Sequence, residues 1–172
     1  MCIRDRATGK LRKIRNEKSE KEEKQRADLS EKEQLEKYCY FNRDFYTRNL
    51  VHKEKGFELM VVCWSPGQKA PIHGHEGEKC WARIQKGSLQ VCNYKEISSD
   101  TMNLDLVDRV LAKKGYLDGP ADIHSVENIS NDIAVSLHVY ASPFDSCDIY
   151  DMETGVKNRI QLQYHSMFGK LC

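Results

Sequence analysis

Gly67-Gln-Lys-Ala-Pro-Ile-His73-Gly-His75-Glu-Gly-Glu-Lys-Cys80-Trp-Ala-Arg-Ile-Gln-Lys-Gly87 is the stretch on which the reading of this chain turns. Two histidines stand one residue apart, between glycines that punctuate turns. On a strand, alternate side chains share a face, so both imidazoles would project to one side. A third histidine brought from another strand would complete a metal cage, and His124, in the spacing His124-x3-Asn128, is the candidate. Three neutral imidazoles occupy one side of a first-row metal and leave positions open to a substrate, which points to metal chemistry and not to a closed structural ion.

Outward from this stretch the pattern stays β. Phe57 to Trp64 is an apolar run that stops at Ser65-Pro-Gly67. Cys80 to Gln85 and Leu89 to Tyr94 flank Lys86-Gly87-Ser88, a hairpin signal. Leu104 to Ala112, Ile133 to Tyr140 and Arg159 to Tyr164 read as further strands. Short strands between Gly, Pro, Asn and Asp turns predict a sandwich or barrel, mainly β. The N-terminal part differs. From Lys10 to Lys37, 18 of 28 residues are charged, and the apolar positions sustain no heptad. This predicts a solvated helical or partly disordered lead over residues 1–40, with Ser30-x-x-Glu33 as a capping box, ahead of one β domain over residues 41–172.

Composition narrows the function. The chain has 172 residues and a net charge of +1, so it offers no electrostatic footprint for nucleic acid or a membrane surface. No apolar run of spanning length occurs. Seven cysteines, an odd number without a C-x-x-C pair, argue against a disulfide framework. Reduced thiols in the cytoplasm are expected.

The glycine, His-x-His and glycine spacing resembles the first motif of the cupin jelly roll, and His124-x3-Asn128 its second. The position where cupins usually carry an acidic ligand holds Cys80. That departure, with Tyr46-Thr-Arg48-Asn-Leu50, Ser136-Leu-His138-Val-Tyr140 and Ser142-Pro-Phe-Asp-Ser-Cys147, resembles the eukaryotic-type cysteine dioxygenases from about Phe41 to Gly169. The resemblance implies a cupin fold and Fe2+ on His73, His75 and His124. It implies Arg48 and Tyr46 as binders of the substrate carboxylate, and a Cys80–Tyr140 thioether beside the metal. It also implies a catalytic group of Tyr140, His138 and Cys80, with Ser136 and His138 orienting the Tyr140 hydroxyl. The implied reaction is dioxygenation of L-cysteine by O2 to cysteine sulfinic acid, in a monomer.

Other readings stay open from the residues alone. A dioxygenase for another small thiol such as 3-mercaptopropionate is one, although relatives of that specificity typically lack the arginine and the crosslinking cysteine. A zinc-dependent cupin isomerase or hydrolase is another, since three-histidine sites also hold zinc. A non-catalytic metal-binding cupin is the third. Trp64 and Trp81 read as core, and Asn128 as a brace for the loop after His124. His52 and His165 fall outside the constellation. Cys147 reads as a thiol near the pocket mouth or a structural one.

Overall fold

The computed structural model describes residues 33–75, 77–98, 103–119 and 122–172. Among these, one helical turn covers 33–36, and the rest of the expected helical lead, with its capping box, lies outside the described residues. A compact β body runs from Tyr38 to Cys172. Its strands are β1 Thr47–Lys53, β2 Glu58–Trp64, β3 Lys69–Gly74, β4 Cys80–Lys86, β5 Ser88–Ser98, β6 Asn103–Lys113, β7 Leu117–Asp118, β8 Ile123–Glu127, β9 Ala134–Tyr140, β10 Ser146–Asp151, β11 Val156–Gln161, β12 Ser166–Met167 and β13 Lys170–Leu171. They form two sheets, ordered β13-β12-β1-β2-β9-β4-β7 and β11-β10-β3-β8-β5-β6. This is the jelly-roll β-sandwich of the cupins, as the sequence implied.

The core lies between the sheets because the strands alternate. Met60, Val62 and Trp64 of β2, Ile84 of β4, Leu89 and Val91 of β5 and Val126 of β8 pack there as one cluster. The outer face of β2 is buried too: Val61 and Cys63 are almost fully covered. The segment before β1 is tied to that side. Asn49 Nδ2 donates to the Tyr40 carbonyl at 3.2 Å and to Cys63 Sγ at 3.6 Å. A central strand covered on both faces loses strict polar alternation, which is why β2 reads as a continuous apolar run.

One expectation is corrected. Cys80–Lys86 and Ser88–Ser98 do not pair as a hairpin: β4 joins the seven-stranded sheet and β5 the six-stranded one. Lys86-Gly87-Ser88 is where the chain crosses between sheets. A tight glycine turn signals reversal, but each strand found its partners elsewhere, β4 on β9 and β5 on β6 and β8. The C-terminal strand is also displaced: β11 ends at Gln161, so Tyr164 lies beyond it.

Gly87 is needed at the crossing. Its φ is +71°, and a Cβ there would sit 2.6 Å from the Ile133 carbonyl oxygen and 3.0 Å from Ala134 Cα. Both neighbours are backbone at the start of β9. Gly87→Ala should therefore cost about 2–3 kcal/mol of unfolding free energy, read as a lower urea midpoint at unchanged slope. An unshifted midpoint would mean the crossing does not constrain β9.

Candidate metal centre and thiol pocket

His73 lies on β3 directly opposite His124 on β8, so antiparallel pairing brings both imidazoles to one face of the six-stranded sheet. His75 follows the end of β3 by one residue, yet its N–H still reaches the Asp122 carbonyl at 3.2 Å, which carries the two-residue alternation past the strand. The three rings stand edge to face, with centroids 4.7–5.1 Å apart. One nitrogen from each lies within 4.8 Å of the others. An ion with bonds of about 2.1 Å spans up to about 4.2 Å between two ligands, so small side-chain movements close the cage.

The electrostatics suit a cation. Burial, then the neighbouring His75, lowers the pKa of His73 to about 4. Burial, then His73 and His75, depresses His124 well below the usual imidazole range. Neutral rings keep a lone pair for a metal. His73 Nδ1 faces the Pro71 carbonyl at 2.8 Å, so Nδ1 carries the proton and Nε2 is the available donor atom. His124 Nδ1 is buried with no hydrogen-bond partner. A buried nitrogen with no hydrogen-bond partner, beside two other imidazoles, fits a set of metal ligands.

The seven-stranded sheet supplies the opposite wall. Cys80 of β4 and Tyr140 of β9 are cross-strand partners, and both are buried. Directly opposed residues place their Cβ atoms about 4.5–5.5 Å apart, and the Cys80 and Tyr140 side chains interact. Ser136 and His138 share that inward face of β9. Trp64 Nε1 donates to Ser136 Oγ at 3.0 Å, Ser136 Oγ meets His138 Nε2 at 2.8 Å, and His138 Nδ1 lies 3.9 Å from Cys80 Sγ. Both ring nitrogens of His138 are thus engaged, and its ring lies nearly parallel to that of Tyr140 at 6.1 Å. Burial, then the nearby His75, lowers the pKa of His138 to about 3. Burial, then Cys80, raises Tyr140 well above its ordinary value, so its hydroxyl keeps its proton at neutral pH.

Tyr46 immediately precedes β1, and Arg48 is the second residue of that strand. The Tyr46 ring stacks on Trp64 with centroids 4.7 Å apart. Burial raises the pKa of Tyr46, against the opposing pull of Arg48. One cavity is lined by Tyr46, Arg48, His73, His75, His124, His138, Tyr140 and Cys147. Cys80 and Ser136 stand behind that lining. His52 and His165 lie outside it; His52 bonds exposed Glu54 at 2.8 Å. Asn128 is fully buried and ties the Trp64 and Asp132 carbonyls together.

Two roles were not legible in the sequence. Trp64 is core, as expected, but its indole N–H also anchors Ser136 while its ring face supports Tyr46. Phe144 packs against Tyr140 at 5.2 Å and His75 at 6.0 Å, closing the cavity between the two walls. The motif contained Phe144, but nothing in its spacing showed that it touches both sheets.

The fold and the triad define a cupin with an interior suited to a metal ion. The chain belongs to the cysteine dioxygenase type I family, whose sequence profile matches residues 12–153. It is 36% identical over 146 residues to cysteine dioxygenase type 1 of Homo sapiens, covering 81% of this chain and 72% of that protein. Against the Rattus norvegicus protein of the same name it is 36% identical over 138 residues, covering 77% and 68%. Among solved structures, a Thermus thermophilus protein, TT1209, is similar with a TM-score of 0.52 and 22% identity, covering 63% of this chain and 93% of that one; this likeness concerns the fold.

The triad makes a direct prediction. His75→Ala should lower metal affinity by more than the roughly 10–100-fold typical of losing a group that only supports a ligand, while circular dichroism reports an intact β body. Stoichiometric metal in that variant, measured by plasma emission after dialysis, would remove His75 from the site.

Proposed function

We propose that this chain is an iron(II)-dependent cysteine dioxygenase that converts L-cysteine and O2 to cysteine sulfinic acid. The observation that carries the proposal is that the His73, His75 and His124 cage shares one cavity with Arg48 and Tyr140, with Cys80 directly opposite Tyr140 behind the lining. Family membership supports the reading. Ferrous iron held by the three imidazoles would supply the redox centre that lets dioxygen react with a thiol. Both oxygen atoms end on sulfur, which gives up four electrons, so no external reductant enters.

Each remaining step falls to the chain's own residues. Arg48 binds the substrate carboxylate, because a guanidinium presents paired donors that match two oxygens. The protonated Tyr46 hydroxyl adds a neutral donor beside it. The protonated Tyr140 hydroxyl donates a hydrogen bond toward the reacting oxygen and sulfur atoms. Ser136 and Trp64 hold His138, and His138 holds the Cys80–Tyr140 pair in place. Phe144 and the apolar wall exclude water from the reacting thiol. The presence of both Arg48 and Cys80 favours L-cysteine over 3-mercaptopropionate. Among the described residues no helix is long and apolar enough to cross a membrane, and none of the six cysteines forms a disulfide. We place the protein in the cytoplasm, acting as a monomer.

Selectivity tests the carboxylate assignment. Arg48→Gln should reduce kcat/KM for cysteine far more than for cysteamine, which has no carboxylate. Loss of one partner of a buried charge pair costs about 2–5 kcal/mol, roughly 30- to several-thousand-fold. Equal losses on both thiols would make Arg48 structural.

The Cys80–Tyr140 register supports a thioether as well. That bond replaces the thiol hydrogen and one ring hydrogen, with two electrons passing to dioxygen, the co-substrate. The crosslinked form is therefore about 2 Da lighter than the sequence mass, and turnover with iron, cysteine and O2 should enrich it. Cys80→Ser should abolish it and leave partial activity, since the Tyr140 hydroxyl stays but its ring regains torsional freedom. Recovery of only unlinked Cys80 and Tyr140 peptides from fully active enzyme would remove the crosslink from the reading.

A further inference from the structure

Glu58 is a buried carboxylate that the steps above do not use. It opens β2 opposite Tyr140 of β9, and its side chain has no exposure to solvent. Its two oxygens are treated differently. Tyr164 donates its hydroxyl to Oε2 at 2.7 Å, and Lys53 Nζ stands 3.5 Å from the same oxygen. Lys53 also donates to the Tyr164 hydroxyl oxygen at 2.9 Å, closing a small network. Oε1 instead faces Arg48 Nη2 at 3.7 Å, too far for a hydrogen bond. Both atoms of that gap are buried without a hydrogen-bond partner. The guanidinium also lies over the Tyr164 ring, 5.3 Å from its centroid.

Two opposite charges facing each other in a buried site gain by closing to hydrogen-bond contact, because unpaired buried polar atoms are costly. This pair stays open. The groups that hold it open are visible: Tyr164 and Lys53 keep the carboxylate on their side through Oε2. Attraction across the gap still orients the guanidinium, and the Tyr164 ring supports its flat face. Arg48 therefore lines the cavity with no hydrogen bond committed to Glu58. Arg48, Lys53 and Glu58 together carry one excess positive charge, which a substrate with one carboxylate neutralises.

We infer that Glu58 and Tyr164 are positioning residues for the carboxylate subsite: Tyr164 restrains Glu58 so that it steers Arg48 without occupying the donor that the substrate needs. The inference rests on the proposed role of Arg48 as the carboxylate binder. It assigns to this cluster a preference for thiols bearing a single carboxylate.

Tyr164→Phe keeps the ring under Arg48 and removes the hydroxyl that holds Glu58. The carboxylate should then close onto Arg48 and compete with substrate. KM for cysteine should rise about tenfold, the size of one charged hydrogen bond, with kcat little changed. The cysteine-to-cysteamine ratio of kcat/KM should fall by the same factor. Adding Glu58→Gln removes the competitor together with its steering charge, so the double variant should recover most of the loss and keep a residual rise in cysteine KM of up to about threefold over the parent protein. Lys53→Gln alters a side chain that is 38% exposed and loosens the same restraint outside the core; it should raise KM for cysteine about threefold. A cysteine KM that neither single variant raises overturns the inference, as does a double variant no better than Tyr164→Phe. Arg48→Gln, run in parallel, separates the two claims. If it leaves the thiol ratio intact, the carboxylate reading itself fails. If it collapses the ratio while Tyr164→Phe does not move it, only the restraint is wrong.

Discussion

Strand β9 is held on both sides, by β2 and by β4, and its register against them decides which atoms meet inside the barrel. Tyr140 faces Glu58 on one side and Cys80 on the other; His138 faces Met60 and Ala82; Ser136 faces Val62 and Ile84. Because the side-chain period is two, a slip of one residue would turn all three polar groups outward and bring Val135, Leu137 and Val139 in. The Trp64–Ser136 hydrogen bond opposes that slip, since it forms only when Ser136 points inward. The small side chain of Ala82 leaves room for the imidazole of His138. The Gly87 crossing packs against the first residues of β9 and fixes its start.

A polar interior between two sheets must be compensated. Most of this one is compensated by neutrality. The buried imidazoles His73, His124 and His138 are depressed below the range where they would charge, and Tyr140 is raised above the range where it would ionise. Charge is confined to one corner, where Arg48 and Lys53 face Glu58. In the proposed function that segregation would have a chemical use. A cage of three neutral ligands would leave a divalent ion's charge uncompensated, so an arriving thiolate would be attracted to it. A carboxylate would be drawn at the same time to the corner with excess positive charge. A substrate carrying both groups would thus be oriented by separated attractions, not by shape alone.

The legibility of this arrangement in the sequence follows the range of the interactions. His73 and His75 were readable because two residues on one strand share a face whatever else the fold does. His124 needed a second motif, and Cys80 with Tyr140 needed the family resemblance, because no local pattern shows which strands lie side by side. The β4–β5 crossing misled for the same reason: Lys86-Gly87-Ser88 specifies a tight turn, and only long-range pairing decides whether that turn closes a hairpin. Glu58, Lys53 and Tyr164 were illegible. Each is an ordinary polar residue in its own segment, and Tyr164 is more than a hundred residues from its partners. Their meaning exists only where the loop after β11 returns to the head of β2. Trp64 was legible as core but not as a hydrogen-bond donor, since hydropathy registers its ring and not its N–H.

The two walls of the cavity have separate origins. The six-stranded sheet contributes the three histidines, and the seven-stranded sheet with its lead-in contributes Tyr46, Arg48, Ser136, His138, Tyr140 and Cys80. The triad that would hold an ion belongs to the first wall alone, so the second is built without it. That wall accordingly carries its own ties, from Trp64 through Ser136 and His138 to Cys80. What joins the walls is Phe144, on the connection from β9 to β10 where the chain passes from one sheet to the other, with its ring against both Tyr140 and His75. An aromatic ring spans that gap without a polar atom to satisfy, and so fixes the spacing of the two walls without competing for the imidazoles of the triad or the guanidinium of Arg48.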